Sequence, residues 1–477
     1  MKTGFWRLSV AVTSLLFVLT ACGGLEIYEP AQIEEYIAQE AESYVATYGE
    51  VPQEEDGYYE GYVDQAQEEI PLPNHYFDVF TSGRTRGDYL EDLDHLYNTL
   101  STNYPFFGVI YRARGVDMHE HYRAARYHIE TIHDIPNDQY FANMIDSQFI
   151  SHARNAGHFN MLTGDFLQLH IEVFTNQVIN LGSDQFLHFL NELDNPATRA
   201  LHGLTDDNFA PPQRGVDSFV YATTSNNIET RIIEARRIAY INILQMNHAT
   251  MNLDRDKLID FYRQVADYDH LIIDMRQNGG GDSRFFPQLV MAPNISEPLH
   301  YHFYMFLMAG DHNMRLLAPW FTDWWDFATP YPVFHPIHDE LLARLPYMNE
   351  DDWAMLDLYW RWDDTIQPSQ NEAIFGGKIW LLVSERNFSA SEQAAATAKQ
   401  TGFATLVGQT TGGDGIGINP LVLALPNSGI VVRYSSIYGT DHLGRNNQEF
   451  GTEPHFFNRP RRDALQTTLD LIAEGNY

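Results

Sequence analysis

The sequence predicts an α/β core with a largely parallel sheet, preceded by a small helical domain. Two observations lead there. From residue 231 onward short apolar runs alternate with segments of helical spacing, and strands separated by helices of that length require crossover connections. Between residues 76 and 165 the apolar residues recur instead at helical intervals. With 477 residues, 44% of them hydrophobic, the chain is long enough for two or three domains and one large core.

Residues 1–22 form the first element. Lys2 and Arg7 precede an apolar run over 8–19 that ends in Leu19-Thr20-Ala21-Cys22-Gly23. This resembles a bacterial lipoprotein signal, which is cut before the cysteine, so that Cys22 becomes the acylated lipidation site. The run is shorter than the roughly 20 residues of a comfortable membrane span. Cys22 is the sole cysteine, so no intrachain disulfide forms. Residues 23–75 read as an acidic, disordered tether: 26–69 contain no Lys or Arg, and such a run buries too little apolar surface to offset its ordering entropy. A short helix over 31–48 fits within it.

Over 76–165 the spacing of Leu90, Leu93, Leu96 and Leu100 predicts a helix, with further helices over 118–132 and 140–150. His119, His121, His128 and His133 raise a zinc reading, but the HExxH spacing is absent and a solvated helix face accounts for them. Residues 166–230 carry no readable pattern and end in a polar, Pro-containing stretch over 206–214. In 231–477, residues 237–246 read as a strand, 254–266 as a helix, 270–275 as a buried strand, 378–384 as another, and 389–400 as an Ala-rich helix. Leu406 and Val407 continue the alternation. Residues 421–425 and 429–434 then form a closing antiparallel pair around Pro426-Asn427-Ser428.

A net charge of −34, from 64 acids against 30 bases, excludes a nucleic-acid groove, because phosphate contacts need clustered cations. Phosphate-binding Gly-Lys-Ser/Thr loops are missing, and no carboxylate pair stands out for glycoside chemistry. Two loops do carry chemistry. Gly279-Gly280-Gly281 follows the buried strand 270–275, and glycines there let N–H groups point into a cleft as an oxyanion hole requires. A tight strand-to-helix turn would also explain them. The second loop, Phe388-Ser389-Ala390-Ser391-Glu392, sets a serine hydroxyl at a helix start, where N–H groups and the dipole favour negative charge. Ser389-x-x-Glu392 is equally a capping box.

Together the loops resemble the tail-specific (C-terminal processing) protease family. The first is similar to its Asp-x-Arg-x-Asn-x-Gly-Gly element (Asp274, Arg276, Asn278, Gly280, Gly281), the second to its Ser-Ala-Ser-Glu nucleophile turn. The likeness continues through Gly402, Leu406-Val407-Gly408, Thr410, the strand pair around Pro426, and Glu449-Phe450-Gly451-Thr452-Glu453-Pro454, covering 237–455. It implies a crotonase-like β-β-α core, Ser389 as nucleophile, and oxyanion donors at the backbone N–H of Ala390 and of Gly279 or Gly280. Many members carry a peptide-binding PDZ module ahead of the core; 166–230 holds no convincing carboxylate-binding loop for one.

The chain departs from the Ser-Lys dyad of most bacterial members. Asp414 stands where the dyad lysine belongs, and an aspartate cannot imitate a neutral amine. On this reasoning Asp414→Ala is expected to be nearly harmless to catalysis. Lys399 lies about three turns along the helix behind Ser389, at roughly 1.5 Å per residue, and is too far away. The tricorn-like branch uses a histidine instead. Ala156-Gly157-His158-Phe159 resembles its Gly-His element, which implies His158 as general base and Glu449 as the group that holds the imidazole. Asp282 is read as structural. The expectation is a membrane-tethered, extracytoplasmic serine endopeptidase that acts on peptides or unfolded protein tails without metal or cofactor. Its rival is a catalytically inactive peptide-binding lipoprotein of the same fold. Trp320, Trp324, Trp325, Trp353, Trp360 and Trp362, between the two loops, are expected to roof the cleft.

Overall fold

The computed structural model describes residues 84–153, 156–181, 185–209, 225–322 and 334–475. The leader with Cys22, the acidic tether, the helix expected over 31–48, residues 210–214, Trp324 and Trp325 lie outside the described residues.

The helical region is built as its spacing predicts. Helix α1 (Arg86–Asn103) starts at a capping box between Thr85 and Asp88 and buries Leu93, Leu96 and Leu100. Helices α2 (Phe107–Arg114), α3 (Met118–Thr131) and α4 (Asp138–Gln148) follow. Residues 166–230, unreadable as a sequence, prove largely helical where described: α5 (Gly164–Leu181), α6 (Gln185–Leu193) and α7 (Pro196–His202) precede a short turn of helix at Asp206–Phe209. No helix among the described residues is long and apolar enough to cross a membrane.

Among the described residues thirteen strands form three sheets: β1 (Asn160–Leu162), β2 (Ile228–Glu234), β3 (Ile238–Ile243), β4 (His270–Asp274), β5 (Leu299–Leu307), β6 (His335–Pro336), β7 (Leu358–Ile366), β8 (Lys378–Val383), β9 (Thr405–Gly408), β10 (Leu421–Ala424), β11 (Val431–Tyr434), β12 (Ile437–Thr440) and β13 (Phe456–Phe457). The central six-stranded sheet runs β13-β9-β8-β4-β3-β2 and is parallel except for β2. Its inner strands β3, β4, β8 and β9 are covered on both faces and read as mostly apolar runs, with Leu271, Ile272 and Ile273 fully buried beside Leu381, Leu382 and Val383. Helix α8 (Met251–Gln264) makes the β3-to-β4 crossover, and α10 (Ala390–Gln400) makes the β8-to-β9 crossover. Because β4 and β8 are register neighbours, with Asp274 beside Leu382, the glycine loop and the serine loop leave the sheet side by side. In parallel sheets that is the edge where ligands bind.

Between those strands the chain inserts β5, α9 (Asp311–Thr322), β6 and β7, an antiparallel sheet that takes β12 as its fourth strand. Trp360 and Trp362 lie half-buried on β7. The third sheet, β1-β11-β10, joins the helical region to the end of the core. The closing hairpin forms as expected, with Leu421 opposite Tyr434. Its turn is gripped from α1: fully buried Asp92 accepts the N–H of Asn427 at 2.8 Å and of Ser428 at 2.7 Å.

Removing that acceptor leaves the buried Ser428 N–H and the partly buried Asn427 N–H without a partner, at about 1–3 kcal/mol each. Asp92→Ala is therefore expected to cost about 2–4 kcal/mol, measured as a lower denaturant midpoint at unchanged slope.

Candidate active site

Ser389 is reached through a sharp turn. It ends the loop after β8 and precedes α10, with φ 57° and ψ −129°, and its side chain makes no capping bond. The capping-box reading therefore fails for both residues. Glu392 is turned inward and fully buried, its Oε1 accepting from Asn447 Nδ2 at 2.7 Å and Thr452 Oγ1 at 2.6 Å. Burial holds its pKa above the ordinary carboxylate value.

Two buried amides bind the two loops together. Asn387 Nδ2 donates to the carbonyls of Met275 and Asn278, and Asn387 Oδ1 accepts the Ser384 N–H at 2.7 Å. Asn278 Nδ2 donates to the Ile243 carbonyl, and its Oδ1 accepts the Gly280 N–H at 2.9 Å. Gly280 is thus occupied as a donor, while the N–H groups of Gly279 and Ala390 have no partner among the described residues. Gly280 packs against the serine turn so closely that a Cβ there would lie 2.8 Å from the Phe388 carbonyl and 3.0 Å from Ser389 Cβ.

A second segment runs parallel to the serine turn. Phe388 bridges Gly413; the Ser389 N–H donates to the Gly413 carbonyl at 3.2 Å, and the Gly412 N–H to the Asn387 carbonyl at 2.7 Å. Asp414 consequently sits beside Ser389. His158 arrives from the other side. The β1–β11 register puts Asn160 opposite Arg433, and the pairing continues to the Ser435 N–H, which donates to the Gly157 carbonyl. Gly157, at φ 57°, also donates its N–H to Gln448 Oε1 at 2.9 Å, and a Cβ there would strike the Phe106 ring. The His158 ring stands 4.6 Å, centroid to centroid, from the Phe388 ring. Its Nδ1 contacts Asp414 Oδ2 and lies 3.2 Å from Ser435 Oγ, which itself donates to Asp414 Oδ2 at 2.9 Å.

Asp414 is buried, whereas His158 and Ser389 are partly open to solvent. Five described non-glycine residues have positive φ, and three of them are His158, Ser389 and Asp414. Backbone strain of this kind costs on the order of 1–3 kcal/mol per residue and gathers at functional sites.

Glu449 does not hold the imidazole. Its carboxylate is taken by Arg112, which donates to Glu449 Oε2 at 2.7 Å and also pairs with buried Asp352. The expectation that Asp414 is dispensable rested on comparing it with a lysine; folded, it is the carboxylate that meets His158 Nδ1. The sequence carries one signal for this role, an acid at the site of a missing base. Ser435, Gln448 and Asn387 gave no signal. Lys399 donates to the Glu453 carbonyl at 2.9 Å, at the far end of α10 from Ser389. Asp282 is bound by Arg284 and His248 beside the glycine loop. No group of three or more His, Cys, Asp or Glu among the described residues is arranged for a metal.

Two variants test this construction. Gly280→Ala is expected to cost about 1–3 kcal/mol, since it meets both positive φ (116°) and the Phe388 carbonyl, and to displace Ser389. Slower labelling of Ser389 by a fluorophosphonate, in protein that still folds, is the readout. For Glu392→Gln the pH trend is diagnostic. A carboxyl whose folded pKa is raised makes the wild type lose stability as pH climbs above its unfolded value near 4.5, whereas glutamine does not titrate. The variant's stability relative to wild type is therefore expected to rise between pH 4 and pH 8 in denaturation series.

Residues 237–457 match the family model of peptidase family S41. No curated protein sequence matches the chain. Among solved structures, a candidate peptidase from Parabacteroides merdae ATCC 43184 is 17% identical, covering 82% of this chain and 97% of its own, at a TM-score of 0.47. Mature CPAF is 13% identical over 78% of this chain and 92% of its own, at 0.46. A lipoprotein from Streptococcus agalactiae is 11% identical over 83% and 99%, at 0.40. The match of residues 237–457 to peptidase family S41 supports a serine peptidase kind of function for this chain.

Proposed function

We propose that the chain is a serine endopeptidase of peptides or unfolded protein tails, with Ser389 as nucleophile, His158 as general base and Asp414 as the group that orients the imidazole. The observation that supports this reading is the contact of His158 Nδ1 with Asp414, in the segment that pairs alongside the Ser389 turn through Phe388 and Gly413. In this reading Nδ1 faces Asp414 and Nε2 is the nitrogen left to take the Ser389 proton once substrate closes the site. Ser389 Oγ attacks the scissile carbonyl and its proton passes to His158 Nε2. The carbonyl oxygen, now negative, is received by the N–H groups of Ala390 and Gly279. Collapse expels the amine, which takes the proton from His158, and water activated by the same ring cleaves the acyl-enzyme. Ser435 Oγ helps to fix the Asp414 carboxylate.

The leader implies a lipid anchor at Cys22 and an extracytoplasmic site of action, with residues 23–75 as the tether that holds 76–477 off the membrane. The second reading, an inactive peptide-binding lipoprotein, draws on one observation: no hydrogen bond joins Ser389 Oγ to His158. Catalytic hydrogen bonds of unliganded sites often close only with substrate bound.

Hydrolysis of a quenched fluorescent casein or peptide separates the two. Ser389→Ala is expected to abolish turnover while leaving the melting temperature unchanged. Asp414→Asn, which spoils the tautomer but not the shape, is expected to lower kcat on the order of 10³–10⁴-fold. Glu449→Gln is expected to act through stability rather than kcat. Full turnover in Ser389→Ala, or no turnover by the wild type with any substrate, sinks the peptidase reading.

A further inference from the structure

Arg433 is a partly buried cation with no counter-ion among the described residues. It lies on β11 two residues before Ser435, and side chains two apart on a strand share a face, so it stands about 7 Å along the sheet from the His158–Ser435–Asp414 cluster. Asn160, two residues after His158, faces it from β1. Arg433 Nε donates to Asn160 Oδ1 at 2.8 Å and Nη1 to His170 Nε2 at 3.2 Å. The guanidinium lies over the Phe166 ring, 4.9 Å from its centroid. The other donors of its five have no acceptor among the described residues.

Both partners are neutral. His170 gives its Nδ1 proton to the Phe166 carbonyl at 2.7 Å, and burial pushes its pKa down to about 4. Burial likewise pushes Arg433 down to about 10, against the pull of Asp414, so it remains a cation at neutral pH. A partly buried charge with no counter-charge beside it carries a desolvation cost that pairing would offset. A chain with 64 acids had ample means to pair it, yet no described carboxylate does. Phe166, 41% exposed, marks an approach from solvent.

We propose that Arg433, framed by Asn160, His170 and Phe166, is a subsite for a carboxylate of the bound peptide. The inference rests on the reading of Ser389 and His158 as the reacting pair, which sets where the peptide lies. The guanidinium fork accepts a carboxylate through two parallel N–H bonds, and the aromatic ring fixes its plane. The carboxylate belongs either to an acidic side chain or to the chain terminus.

Binding is measured first on the uncleaving Ser389→Ala chain, by fluorescence anisotropy with labelled decapeptides of one Ala/Gln sequence. These carry Glu in place of Gln at each position in turn, or a free in place of an amidated C-terminus. One arm is expected to bind about tenfold or more tighter than its neutral match, and which arm does so identifies the source of the carboxylate. Adding Arg433→Met should erase that preference without lowering the melting temperature, because it removes an unpaired charge; Arg433→Lys should keep part of it. Equal binding of charged and neutral peptides, or a preference that survives Arg433→Met, overturns the subsite. In the wild type the same preference should reappear in kcat/KM. A preference in binding with no hydrolysis leaves the subsite standing and removes the peptidase reading instead.

Discussion

The site depends on one short backbone pairing, that of Phe388 with Gly413. The serine turn and the 412–414 segment leave the sheet from neighbouring strands, and the two hydrogen bonds of this bridge keep them parallel beyond the sheet's edge. Asp414 is beside Ser389 only because of it. The bridge in turn requires close packing: Gly412 and Gly413 approach the backbones of Glu385 and Asn447 so tightly that a Cβ at either would lie 2.5 Å from a carbonyl oxygen. Asn387 and Asn278 complete the restraint by tying the serine and glycine loops to each other and to β3.

That restraint explains how three non-glycine residues persist at positive φ. Each conformation is unfavourable alone, and each is over-determined by its surroundings. Ser389 is held by its N–H bond to Gly413 and by Gly280 against its Cβ; Asp414 by His158 and Ser435; His158 by the pairing of Gly157 with Ser435 and Gln448. Glu392 serves the same end from beneath, linking the first turn of α10 to Asn447 and Thr452.

The helical region is therefore part of the site rather than an appendage to it. His158 follows that region in sequence, and α1 grips the β10–β11 hairpin through Asp92. Arg112 ties α2 to Glu449 and Asp352, so the short helix that carries Gln448 is anchored from the helical side. The same β1–β11 pairing that delivers His158 also delivers Arg433, two residues along the strand from Ser435 and with no carboxylate partner among the described residues.

By itself the sequence determined the local structure of the core, because its strands are continuous apolar runs and its helices strongly periodic. Strands 238–243, 270–274 and 378–383, helix 390–400 and the closing hairpin fall where the pattern put them. It also determined the two loops, since serine at a helix start and a run of glycines after a buried strand are local features. Residues 166–209 stayed unreadable because short helices of mixed composition take their stability from tertiary contacts rather than from a clean period. Which acid meets His158 was decided only by the fold. Asp414 and Glu449 are both acids near the expected place, and nothing local separates them. The parallel bridge carries Asp414 to the imidazole, while Arg112, more than 300 residues earlier, captures Glu449. Long-range pairing sets such choices, and a linear chain does not display it.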